Sequence, residues 1–237
     1  MIILAVFNFT IYAKGSDEVL FYEDFEDYPD LTHIHNMFTS FRITDGACEL
    51  TIYRAVRLPY FNTNLGNTPR YKFNNITVKA RIRNKYDAPA NKLKGSVGWG
   101  LCTQNIKSFD YEFVWFIYQQ GSPFYPWNGL WVWSRNSTGD FSTKKIDGYS
   151  IFDWHVYDIN WTENSYDFYI DGEHVAQITK GVTQQDMGIE IWNDNTVWYP
   201  AKRNWSNIPL SKWGLILVPH KITVMKKLGI DYVKITE

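Results

Sequence analysis

Apolar and polar residues alternate with a period of two along most of the chain, and no stretch holds a helical stripe for three turns. This pattern predicts strands at residues 20–25, 48–53, 76–83, 96–103, 112–119, 130–134, 156–161, 165–170, 175–179, 188–192, 215–218 and 230–235. Turn chemistry separates them at Asp45-Gly46, Gly121 to Pro123, Asn128-Gly129, Asp147-Gly148 and Asp171-Gly172. A dozen strands with no linker or break in composition predict an all-β fold: one antiparallel two-sheet β-sandwich of the jelly-roll kind. The clearest unit is a three-stranded meander at residues 154–178.

The alternation also assigns faces. Ile76, Val78, Ala80 and Ile82 share one side of their strand, and Asn75, Thr77, Lys79 and Arg81 the wet one. Met187, Ile189 and Ile191 point one way, and Glu190, Trp192 and Asp194 the other. Leu130 and Val132 oppose Trp131 and Trp133. Around Glu112 the strand is aromatic on both faces, so parity leaves that carboxylate unplaced.

The first 13 residues are apolar for seven positions and then alternate, too short a run for a bilayer span of about 20 residues. Three readings stay open: a strand of the protein's own sheet, the remnant of a secretory signal, or a donor strand for self-assembly with a neighbouring subunit. Residues 1–19 are therefore read as an N-terminal strand or extension, and 20–237 as the jelly-roll domain. No other segment is a transmembrane candidate. Five N-x-S/T sequons, at Asn8, Asn75, Asn136, Asn160 and Asn204, favour an extracellular or cell-surface glycoprotein. The net charge of −1 argues against a nucleic-acid partner. His33 and His35 read as a solvated loop, and a disulfide between Cys48 and Cys102 stays open.

Composition adds one further fact. Aromatic residues make up 18% of the chain, including 11 Trp, more than a core of this size needs. Trp131, Trp133 and Trp192, with Trp115, form a candidate stacking platform for the apolar faces of sugar rings. Asp194, Gln104, Asn105, Gln119, Gln120, Asn193 and Asn195 are candidate partners for sugar hydroxyls, with loops at 123–127 and 198–200 as walls. The competing reading packs Trp131 and Trp133 beneath a loop. Trp154 and Trp161, in the meander, read as core.

The meander resembles the signature of the concanavalin A-like lectin/glucanase superfamily, closest to family-16 glycoside hydrolases of the laminarinase and lichenase type. Other pieces fall in the same order: Glu23 to Glu26; Thr44-Asp45-Gly46 leading into residues 49–52; residues 76–83; and residues 230–235. The resemblance covers most of 20–237. It implies a jelly roll whose concave sheet forms a saccharide groove. It also implies a structural calcium ion (Ca2+) bound where the chain ends meet, carried over to Glu23 or Asp24, Gly46 and Asp231.

The departure from the family lies at its catalytic strand, E-x-D-x-x-E. The matching strand here is residues 109–118, and no alignment of Asp110 and Glu112 yields a second catalytic carboxylate. Retaining hydrolysis needs two carboxyl groups about 5–5.5 Å apart. Glu112 and Glu190 are the substitute candidates, provided both face the groove. Three functions therefore compete: a binding protein for a polysaccharide, an active glycanase or polysaccharide lyase using Glu112 and Glu190, and a glycosylated surface subunit assembled through its N-terminal strand.

Overall fold

In Asn75–Asn84 every apolar residue is buried and every polar one between them half-exposed, so this strand covers a core with one face only. The computed structural model describes residues 18–27, 29, 31–35, 39–53, 62–66, 70–84, 88–103, 111–202 and 213–237. The chain's N-terminal extension falls almost wholly outside the described residues.

The strands are β1 (Val19–Glu23), β2 (Thr32–His35), β3 (Thr39–Thr44), β4 (Ala47–Ile52), β5 (Asn62–Gly66), β6 (Asn75–Asn84), β7 (Gly95–Cys102), β8 (Phe113–Gln120) and β9 (Gly129–Arg135). After them come β10 (Phe141–Ile146), β11 (His155–Trp161), β12 (Tyr166–Ile170), β13 (Glu173–Ile178), β14 (Gly188–Asp194), β15 (Thr196–Lys202), β16 (Trp213–Pro219) and β17 (Lys226–Thr236). One eight-stranded sheet runs β13-β12-β11-β6-β17-β4-β3. Its eighth strand, β1, pairs with the end of β17 beyond a bulge at Ile230/Tyr232. A seven-stranded sheet runs β10-β9-β8-β7-β14-β5-β2, and β15 and β16 form a separate two-stranded ribbon. The described ladders are antiparallel, and the fold is the expected all-β sandwich.

The main core fills the space between the sheets. Val78, Ile82, Tyr157, Ile159, Phe168, Ile230 and Val233 meet Val97, Trp99, Val114, Phe116, Val132, Ile189 and Ile191 across it. Trp99 packs on Tyr157 at 4.6 Å, and Phe116 on Phe168 edge-on at 5.3 Å. The two sheets differ in their outer faces. The eight-stranded sheet wears a polar exterior, whereas β7, β8 and β14 are buried along their whole length. That requires a second cover on the outer face of the seven-stranded sheet.

All twelve expected strands are present with ends shifted by a few residues, and five more are added. Of these, β10 reads F-S-T-K-K-I and sits at a sheet edge, where solvent permits charged positions. His33 and His35 lie in a strand, β2, rather than in a loop. Cys48 and Cys102 are both buried free thiols, and burial with nearby Glu23 and Glu49 pushes the Cys48 thiol well up.

Candidate functional site

Alternation puts one residue in two from each central strand onto the outer face of the seven-stranded sheet, and register assembles them into cross-strand rungs. The first rung is Asp194, Ser96 and Gln119; the second is Trp192, Gly98, Ile117 and Trp131. The third is Glu190, Gly100, Trp115 and Trp133; the fourth is Cys102, Phe113 and Arg135. The register thus places the candidate residues Trp115, Trp131, Trp133, Trp192, Gln119, Asp194 and Glu190 on one face, including Trp115 and Gln119, whose strand alternation left unassigned.

These rings form a second aromatic cluster separate from the main core. Phe113 stacks on Trp115 at 3.8 Å, and Trp115 meets Trp192 edge-on at 4.7 Å and Trp198 at 5.6 Å. Trp127 closes one side, 4.8 Å from Trp131 and 5.5 Å from Trp133. The second and third rungs are possible because β7 presents only Ser96, Gly98, Gly100 and Cys102 here. A methyl group at Gly98 would lie 2.2 Å from the Trp192 ring.

The depth of the rings differs. Trp133 is 0% exposed, Trp115 2% and Trp192 4%, so they form a floor rather than an open platform. Trp131 and Trp127 are half-buried, and Phe124, in the loop between β8 and β9, is 94% exposed. The indole N–H groups of Trp115 and Trp133 and the Gln119 Nε2 are buried without a hydrogen-bond partner. Unpaired buried donors cost about 1–3 kcal/mol each, so an acceptor reaching this face gains by satisfying them.

Asp194 and Gln119 anchor the β15–β16 ribbon instead of standing open. The Asp194 carboxylate accepts hydrogen bonds from the Ser96 amide (3.2 Å) and hydroxyl (2.7 Å), the Thr196 amide (3.0 Å) and the Trp198 indole (3.3 Å). Gln119 Oε1 accepts the Trp198 amide at 3.0 Å and the Tyr125 hydroxyl at 3.2 Å. Lys226, fully buried on the core side, donates to the Ser96 and Asp194 carbonyls at 2.8 Å each. Burial raises the Asp194 carboxyl to about 6 and lowers the Lys226 ammonium to about 7, each opposed by the other's charge.

Glu112 is the correction. It precedes Phe113, whose ring belongs to the outer face, and shares its parity with Val114 and Phe116 of the main core. Its carboxyl lies within electrostatic range of the Tyr166 phenol in that core. Only 1% exposed, it keeps Oε1 unpartnered, and desolvation raises its pKa against a hydrogen bond from Ser137 and the nearby Arg135 charge. Glu190 lies on the opposite side of the sheet, with Oε2 3.8 Å from the Cys102 thiol that donates to it. The Glu112–Glu190 pair is therefore not assembled: the sheet stands between its members. Asp110, Gln104 and Asn105 lie outside the described residues.

Other expected partners also point elsewhere. Gln120 follows Gln119 and faces away from the rungs, and Asn193 reaches through to the Leu50 and Lys226 carbonyls. Trp198 sits on β15 rather than in a loop. The sequence reading missed Ser96, Gly98, Gly100 and Arg135. The readable signal was the run of small residues at alternate positions of β7.

The calcium donor set does not fit. Glu23 pairs in register with the buried Val233 and accepts the Phe25 amide at 2.8 Å, while Asp24 accepts the Glu26 amide at 3.2 Å. Asp231 is held by Lys79 at 2.8 Å on the solvent side of the sheet, and Gly46 occupies the β3–β4 turn with φ of 66°. Among the described residues no three His, Cys, Asp or Glu side chains converge on one point.

No protein-family model matches the sequence, and no curated protein matches it. Solved structures do match. A β-1,3-1,4-glucanase (lichenase) derived from a mouse hindgut metagenome superposes with a TM-score of 0.60 at 14% identity, covering 91% of this chain and 98% of that one. The κ-carrageenase from Pseudoalteromonas carrageenovora, solved with an oligotetrasaccharide of κ-carrageenan, gives 0.59 at 10% identity, with 96% and 98% coverage. A laminarinase catalytic domain from Thermotoga petrophila gives 0.53 at 9% identity, with 94% and 98% coverage. The chain has a concanavalin A-like, glycoside hydrolase-like fold. Among the described residues, no helix is long and apolar enough to cross a membrane.

Proposed function

We propose that this chain binds a polysaccharide along the outer face of its seven-stranded sheet, outside the cell. The carrying observation is the graded aromatic surface: the half-buried Trp127 and Trp131 run into the buried rings of Trp133, Trp115 and Trp192. Flat rings supply apolar contact for sugar C–H faces, and a rigid floor means little ordering cost on binding. The match to enzymes named for β-glucan and carrageenan supports a glycan ligand. The two sequons Asn75 and Asn160, on the solvent side of the other sheet, fit an extracellular setting.

Binding is favoured over hydrolysis by one feature. At the strand matching the family's catalytic one, the outer-face side chains are Phe113, Trp115 and Ile117, and Glu190 faces them without Glu112. The test is affinity electrophoresis in gels containing lichenan, laminarin or κ-carrageenan, with reducing ends measured in parallel. Retardation by at least one polysaccharide, weakened in Trp131→Ala, with no release of reducing ends, is the expected result. Migration unaffected by all three would overturn the reading, and sugar release abolished by Glu190→Gln would replace it with a glycanase.

A further inference from the structure

On the other side of the same sheet, a cavity of about 400 Å3 opens beside the ends of β8 and β9. Its walls include Tyr118 and Gln120 of β8, Leu130 of β9, Ile146 of β10, and Tyr149 and Phe152 of the segment that follows. Gln119 and Gln120 divide the strand end between them: the first anchors the ribbon over the aromatic rungs, the second faces this cavity. A neighbouring cavity of about 240 Å3 shares Phe152.

The polar groups here are nearly all committed. Tyr118 donates its hydroxyl to the Ala90 carbonyl at 2.8 Å, and Tyr149 donates to Glu173 at 2.7 Å. Asn128 is used up in its own loop, bonding the Gly121 amide at 2.7 Å and the Ser122 carbonyl at 2.8 Å. Lys145 and Asp147 at the rim neutralise each other at 2.6 Å. Gln120 is the exception. It is 92% buried by its 8% exposure, and none of the described residues hydrogen-bonds its carboxamide.

That combination selects a ligand chemistry. A charged ligand would be desolvated against a site with no unpaired opposite charge. A wholly apolar ligand would strand the Gln120 amide, whereas an amide is a two-donor, one-acceptor reader of hydroxyl groups. The Phe152 and Tyr149 rings and the Leu130 and Ile146 side chains present apolar surface for the other half of the ligand. The volume lies within the range of small-molecule sites. We infer that this cavity is a second saccharide site, taking one neutral pyranose unit read by Gln120 and separated by the sheet from the aromatic rungs. It stands independently of the outer-face reading.

The experiment follows the Gln120 side-chain amide by 1H–15N NMR on the full chain. Glucose, galactose, mannose and N-acetylglucosamine are each titrated to about 10 mM, the range of weak single-sugar affinity. At least one sugar is expected to shift that amide pair. Binding read by saturation transfer should weaken at least about tenfold in Gln120→Leu, which keeps an apolar filling for the strand end, and persist in Trp131→Ala. Should Gln120→Leu not fold, Gln120→Asn carries the same expectation, because an amide one methylene shorter falls away from the ligand. No shift with any of the four sugars overturns the inference, as does binding undiminished by the Gln120 variants. Loss of outer-face polysaccharide binding with the amide shifts retained would sink the other reading alone.

Discussion

Replacing Gly98 with Ala should destabilise the protein, although Ala is ordinarily better than Gly in a strand by about 0.5–1 kcal/mol. A Cβ at residue 98 would stand 2.2, 2.4 and 2.7 Å from three carbons of the Trp192 ring, more than an ångström inside ordinary contact. The ring has little room to yield. Its Nε1 donates to the Ser96 hydroxyl at 3.0 Å, and its faces meet Trp115 at 4.7 Å and Trp198 at 6.0 Å. Overpacking of this kind costs about 1–3 kcal/mol, and losing the indole hydrogen bond adds about 1 kcal/mol. The expected loss is about 2–4 kcal/mol, a large share of a total stability of about 5–15 kcal/mol. Equilibrium unfolding in urea, followed by tryptophan fluorescence, measures it. Pairing Gly98→Ala with Trp192→Leu should recover at least about 1 kcal/mol as coupling, because the shorter side chain clears the new methyl. A loss below about 0.5 kcal/mol, or no coupling, would refute the packing argument.

Asp194→Ala should cost about 3–5 kcal/mol in the same assay, because it strands four donors and leaves Lys226 buried without its counter-charge. Lys226, lowered to about 7 by burial, titrates near 10.4 when unfolded; between the two the unfolded chain binds more protons, so stability should rise with pH from 7 to 9. Lys226→Met should flatten that rise, and an unchanged pH profile would count against it. Glu112 has a raised pKa, so the native state holds its proton more tightly and stability should fall as pH climbs past the unfolded value of about 4.3. Glu112→Gln should lessen that fall, the rest of which comes from the raised carboxyls of Asp194 and Asp158, while leaving polysaccharide retardation unchanged, since the Glu112 side chain faces the core. Trp131→Ala should weaken retardation about tenfold, the size expected for one lost aromatic contact of about 1–1.5 kcal/mol.

The sandwich was legible because most of its strands bury one face and leave the other wet, as in Asn75–Asn84, where parity is written residue by residue. It failed to speak at Phe113–Gln120, which is buried on both faces, so nothing in its composition told Glu112 from its neighbours. A carboxylate's side was decided there by a register that only the pairing of β8 with β7 and β9 supplies. The aromatic rungs were half legible. Trp131, Trp133 and Trp192 declared their shared face by alternation, but their depth depends on the ribbon anchored through Trp198. That cover comes from residues distant in sequence, and no local pattern announces it. Glu23 and Asp231 were named by resemblance alone, and alternation carried no information on their partners: Glu23 pairs in register with the buried Val233, and Asp231 is ion-paired with Lys79.

The central claim is that a saccharide chain lies against the aromatic rungs of the seven-stranded sheet. The most direct measurement is an assigned 1H–15N map of the tryptophan indoles during titration with a tetrasaccharide from lichenan or κ-carrageenan. Shifts are expected at Trp127 and Trp131, spreading to Trp133, while Trp154, which lies under Arg81 on the solvent side of the opposite sheet and not in the core as its place in the meander suggested, stays unmoved. Shifts confined to Trp154, or no shift at any indole with either sugar, would contradict it.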